Sequence, residues 1–97
     1  MRVSDESLRG RTVVAADGVA IGELAALFLD ASAWQVESLR VKLRKDIADR
    51  LGTERTVFRA GALEIPIRLV QSVGDAVVLS VPVDGMRAVL PSSAHPA

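Results

Sequence analysis

Turn-forming residues divide this chain into short segments, and that punctuation limits what it can fold into more than any other feature. Glycines stand at positions 10, 18, 22, 52, 61, 74 and 85, and two of them close Asp-Gly pairs, Asp17-Gly18 and Asp84-Gly85. Such intervals suit strands of a few residues and are too short for a bundle of long helices. The longest unbroken apolar run, Leu24 to Leu29, falls far short of the ~20 residues with which a helix crosses a bilayer.

Thr12 to Ala15 is rich in strand-forming residues, and Asp17-Gly18 after it suits a two-residue type I′ reversal, in which φ is positive at both central positions. In the apolar stretch from Ala20 to Asp30, Leu24, Leu27 and Phe28 have helical spacing, but Gly22 near its start and the turn just before it favour a strand. Gln35 to Arg44 alternates, with Leu39, Val41 and Leu43 on one face and Arg40, Lys42 and Arg44 on the other. That is a half-buried strand with a basic outer face. A competing stripe of Leu39, Leu43, Ile47 and Leu51, spaced by four, is met by ending the strand near Arg44. A short helix then runs from about Lys45 to Leu51, with Gly52 in the left-handed position after it. Thr56 to Arg59 and Ala62 to Ile65 flank Gly61, and Pro66, lacking an N–H, ends a ladder. Ser72 to Asp75 makes a turn, and Ala76 to Val83 reads as a strand closed by Pro82 and the second Asp-Gly pair. The sum is a mainly β domain of about six strands with one or two short helical turns, a small closed or partly open barrel. Residues 1–6 are expected as an N-terminal arm, 7–90 as the domain, and 91–97, with two prolines and no large apolar side chain, as a flexible tail.

Ninety-seven residues fit a single core, and 49% of them are apolar. The only aromatics are Phe28, Trp34 and Phe58, so the core must be aliphatic and platforms for stacking bases are scarce. Twelve basic residues balance twelve acidic ones, which leaves no global field to hold a polyanion or an anionic membrane. Without cysteine there are no disulfides, thiolate nucleophiles or Cys-bound metals. The one histidine, His95, lies in the tail, where no supporting shell would orient it for catalysis or metal binding. Of the carboxylates that could gather around a cation or a sugar, Asp17, Asp75 and Asp84 lie in turns, where Asp serves the backbone, and Asp30 stands apart. Gly18 and Gly22 lack the lysine and the spacing of phosphate-binding loops. The chain therefore reads as non-enzymatic, with no catalytic residue, metal or cofactor expected. Asp5 and Glu6 stand where a signal peptide would be basic, and a cytoplasmic location is expected.

Leu8-Arg9-Gly10-Arg11-Thr12-Val13, then Asp17-Gly18-Val19-Ala20-Ile21-Gly22-Glu23-Leu24, then Ile65-Pro66, Val70 and Val73-Gly74-Asp75-Ala76-Val77-Val78-Leu79 follow one another along the chain. That order resembles the PRC-barrel family over nearly all of residues 7–83. The likeness is nearest to the short stand-alone archaeal type, and more distant to the C-terminal domain of a ribosome maturation factor and the cytoplasmic domain of the photosynthetic reaction-centre H subunit. The stretch Arg44 to Glu54 and Trp34 match none of the family's landmarks. The resemblance implies a small β-barrel that docks on other proteins. The expected function is thus a non-catalytic adaptor or scaffold in cell division or another cytoplasmic assembly, and the alternative is an accessory of RNA processing or ribosome assembly.

Candidate contacts follow from side-chain chemistry. Trp34 is the first candidate for a protein interface, since Trp is enriched at binding hot spots, with Phe58 second; the other role open to Trp34 is to cap one end of the barrel. The segment from Val83 to Leu90, with Met86, Val89 and Leu90, either covers the open end or swaps onto a second copy. A homodimer is expected because so small a core leaves only a few kcal/mol of net stability. Arg40, Lys42, Arg44 and Lys45 would contact RNA in the alternative, although Glu37, Asp46 and Asp49 beside them also suit a plain solvated strand face.

Overall fold

The computed structural model describes residues 2–51 and 62–86. It opens with one helical turn, α1 (Asp5–Leu8), fixed by a reciprocal cap in which the Ser4 hydroxyl accepts from the Ser7 N–H and the Ser7 hydroxyl accepts from the Ser4 N–H. The cap satisfies donors that a helix start would otherwise leave without partners. Strands β1 (Thr12–Val14), β2 (Ala20–Asp30) and β3 (Gln35–Leu43) follow, then helix α2 (Lys45–Leu51) and strands β4 (Ala62–Pro66), β5 (Val70–Val73) and β6 (Val77–Leu79). Among the described residues these strands form one six-stranded sheet in the order β4-β3-β2-β1-β6-β5. All neighbours are antiparallel except β1 and β6, which run parallel.

The sheet curls around an aliphatic core. Leu39, Val41 and Leu43 of β3 point inward with Ile21 and Leu24 of β2, Val13 of β1, Leu63 and Ile65 of β4, and Val77 and Leu79 of β6. Full burial of each such side chain contributes about 1.5–3 kcal/mol. Ile47 and Leu51 of α2 and the buried Val83 and Met86 complete the same cluster. The alternation expected over Gln35 to Arg44 is present, with Arg40, Lys42 and Arg44 exposed, and so is the helix expected from Lys45 to Leu51. At Gly22 the two long strands approach so closely that an added Cβ would lie 2.0 Å from the Lys42 carbonyl oxygen. Only glycine allows that contact. Register shifts between Leu24 and Ala26 and between Phe28 and Leu29 bend the hairpin further. Arg11 ties the ends together, donating to the carbonyl oxygens of Ser7 and of Gly74 in the β5–β6 turn.

Two local expectations are corrected. The Asp17-Gly18 reversal is not type I′, because Gly18 has φ +86° while Asp17 is not left-handed. Instead Gly18 N–H donates to Ala15 C=O at 2.9 Å and Ala15 N–H donates to Val19 C=O at 2.9 Å. The loop between them is one residue longer, and the glycine alone takes the strained position. The strand expected from Ala76 to Val83 ends at Leu79, since Pro82 cannot donate to a ladder and a 3₁₀ turn, Val83–Gly85, follows it. Of the closed and partly open barrels expected, the described residues form the partly open one: β4 and β5 are the two edges of their sheet, consecutive in the chain and joined by the 3₁₀ turn Ile67–Leu69. The strand expected over Thr56 to Arg59, the role of Gly52 and the tail at 91–97 lie outside the described residues.

Candidate docking site on the β2–β3 hairpin

The hairpin of β2 and β3 turns through Ala31 to Trp34, and Asp30 organises the reversal. One of its carboxylate oxygens accepts from the Ser32 N–H at 3.0 Å, the Ser32 hydroxyl at 2.9 Å and the Ala33 N–H at 3.4 Å. These donors hold the carboxyl below its ordinary value, the Ser32 hydroxyl most strongly and the two backbone N–H groups after it. The Trp34 N–H then closes the turn on the Asp30 carbonyl at 2.7 Å. The geometry forces Trp34 to φ 56°, and no other described residue besides glycine has positive φ. A side chain with a Cβ pays about 1–2 kcal/mol for that conformation.

The ring recovers none of this by packing, because Trp34 is 80% exposed. Trp34 therefore does not cap the barrel, and its capping role is excluded. Leu29, 52% exposed, pairs across the strands with the half-buried Val36, so an apolar edge runs from the core to the tip. Leu29 was not singled out in the sequence, where it reads as one more residue of an apolar run. Asp30 also went unread as a turn former, although Asp followed two residues later by Ser is the signal of a side-chain-closed turn.

Met86, proposed as an interface residue, is fully buried in this chain's own core and has no surface to offer a partner. Phe58, Val89 and Leu90 lie outside the described residues.

The basic residues stand on the outer face of the sheet. The Arg40 guanidinium lies 5.1 Å from the centre of the Phe28 ring, a cation–π contact. Arg40 is opposite Glu64 in register, but that carboxylate accepts instead from the buried Ser38 hydroxyl at 2.6 Å. Lys42 is opposite Glu23, Arg44 pairs with Asp46 at 3.4 Å, and Lys45 is exposed on α2. Acids thus interleave with the bases, a poor surface for a continuous polyanion. Beside Lys42 and Arg44 runs an open groove of ≈ 390 Å³, with Ala20, Gly22, Glu23 and Thr12 among its lining.

Among the described residues no group of three or more His, Cys, Asp and Glu side chains is placed to hold a metal ion. Nor is any described helix long and apolar enough to cross a membrane. A model of the PRC-barrel domain matches residues 1–86. The chain belongs to the PRC-barrel family. Among curated proteins no sequence matches it. In this PRC barrel the residues on which the resemblance was read are structural: Leu8, Val13, Ile21, Leu24, Ile65, Val77 and Leu79 are buried, and Gly10 and Gly18 hold φ of 89° and 86°. Trp34 and the basic row are exposed on the surface of this barrel.

Proposed function

We propose that this PRC barrel is a non-catalytic adaptor that binds another protein through the tip of its β2–β3 hairpin, with Trp34 as the anchor. One observation carries the reading: a tryptophan held in a strained backbone conformation with its ring 80% exposed. Strain without packing is a cost to the isolated domain, and a partner's pocket would offset it by desolvating a large rigid ring. The setting that fits best is a cytoplasmic assembly such as the division machinery, with a homodimer as one working form. The alternative of an RNA-processing or ribosome-assembly accessory rests on the aligned Arg40, Lys42 and Arg44.

Affinity capture from the native cell, with wild type and Trp34→Ala side by side, tests the adaptor reading. The variant should keep its circular dichroism spectrum and lose its protein partner by ~2 kcal/mol or more, about thirtyfold in affinity. A folded variant with unchanged partner recovery and unchanged self-association by light scattering overturns the role of Trp34. Recovery of ribosomal RNA by both forms would favour the alternative.

A further inference from the structure

Strand β2 is longer than β1 beside it, and its distal half has a free backbone edge. β1 pairs with β2 only as far as Glu23. Leu24 is the last residue bonded on that side, its N–H donating to Arg11 C=O at 2.9 Å and its C=O accepting from Gly10 N–H at 2.7 Å. Among the described residues nothing but β3 pairs with β2 beyond Leu24. Of the two register shifts in the hairpin, one places its extra residue at Ala25 and the other at Glu37 on β3, so the free edge runs without a bulge from Ala26 to Asp30. Natural sheets blunt bare edges with charge, proline or a bulge. The two outer edges are blunted in those ways: β4 carries Glu64 and ends at Pro66, and β5 has an extra residue, Gln71, in its register with β6. Ala26-Leu27-Phe28-Leu29 has none of them.

We propose that this edge pairs antiparallel with the same edge of a second copy of the chain, about a two-fold axis at Phe28. The proposal deepens the homodimer included in the adaptor reading, rests on that reading in this respect alone, and uses residues other than Trp34. Self-complementarity selects the occupant. About that axis Phe28 meets Phe28, each Leu27 meets a Leu29, and each Asp30 meets an Ala26, so no acid faces an acid. Leu27 already packs against the core, and the Leu29 of a second copy, 52% exposed in one chain, would continue that layer across the axis. The formal net charge of zero adds no repulsion between copies. An isologous pairing also covers both free edges at once, so association stops at the dimer.

Sedimentation equilibrium and nitrogen-15 amide spectra of the full-length chain, from about 20 μM to about 1 mM, test the pairing. A contact between strand edges is a small interface, so the expected result is a reversible dimer with a Kd of roughly 10 μM to 1 mM. Amide shifts should grow with concentration along Ala26 to Asp30 and stay still along β4 and β5. Leu29→Lys, at an exposed position, should keep its circular dichroism spectrum and weaken the dimer about tenfold or more, since the charge enters the interface twice. Trp34→Ala should leave self-association unchanged, so failure here and failure of Trp34 as an anchor are read separately. The pairing is overturned by a chain that stays monomeric at about 1 mM, by shifts centred on β4 or β5, by self-association unaffected in Leu29→Lys, or by its loss in Trp34→Ala.

Discussion

Trp34 and Met86 show how two large side chains in one small chain can have opposite relations to its stability. Trp34 strains the backbone and buries almost nothing, so Trp34→Gly removes a cost of about 1–2 kcal/mol and adds about 0.5–1 kcal/mol of glycine's own chain entropy. Urea unfolding should show that variant to be as stable as wild type or up to about 1.5 kcal/mol more stable, while partner binding is lost. A loss of more than 2 kcal/mol would mean that the ring packs after all. Met86 is the reverse. Fully buried in the core cluster, it should cost about 2–5 kcal/mol on truncation to Ala, a large share of a domain's total of about 5–15 kcal/mol. Neither outcome follows from residue type, since both side chains are large and apolar; burial decides, and burial is a property of the whole sheet.

The β2–β3 hairpin depends on two short-range contacts that can be tested at either end. Near its base, Gly22→Ala would place a methyl against the Lys42 backbone, which cannot yield as a flexible side chain would. A loss of about 3 kcal/mol or more in thermal or urea unfolding is expected, at the upper end of overpacking costs. At its tip, the Asp30 carboxylate is stabilised in its charged form relative to the ordinary value of 3.8. Its contribution to the turn is complete above that value and is lost as pH falls through the lowered folded value. The anisotropy of Trp34, the chain's single tryptophan, should therefore drop on acidification below 3.8, and Asp30→Asn should remove that pH dependence. An unchanged acid response in Asp30→Asn would place the titration elsewhere. Much of this architecture was legible in the sequence because its signals are local: the alternation of Leu39 to Arg44, the stripe through Ile47 and Leu51, and the ladder-ending Pro66. Less legible were the features decided by distant partners. β6 is short because its pairing with β1, far away in the chain, covers few residues before Pro82, and the Asp17-Gly18 loop takes its length from where the β1–β2 ladder closes, at the Ala15–Val19 bond. The hairpin tip was legible as a residue, Trp34, and not as a conformation, because nothing in the neighbouring letters announces a left-handed tryptophan.

At the scale of the whole molecule, the one parallel pairing among the described residues joins their first strand to their last. The chain before β1 and the chain after β6 leave that ladder at opposite ends. A pull between them therefore loads its hydrogen bonds side by side, in shear, whereas the antiparallel β2–β3 hairpin pulled from its open end parts one bond at a time. The absence of native cysteine makes attachment points simple to place. In single-molecule pulling, Val3→Cys/Asp84→Cys should rupture at a higher force than Ala20→Cys/Arg44→Cys, and equal forces would show that the parallel ladder bears no special load. A barrel wired in this way resists being drawn out along its own chain, so an assembly that tugs on both of its ends would find it a stiff link rather than a fuse.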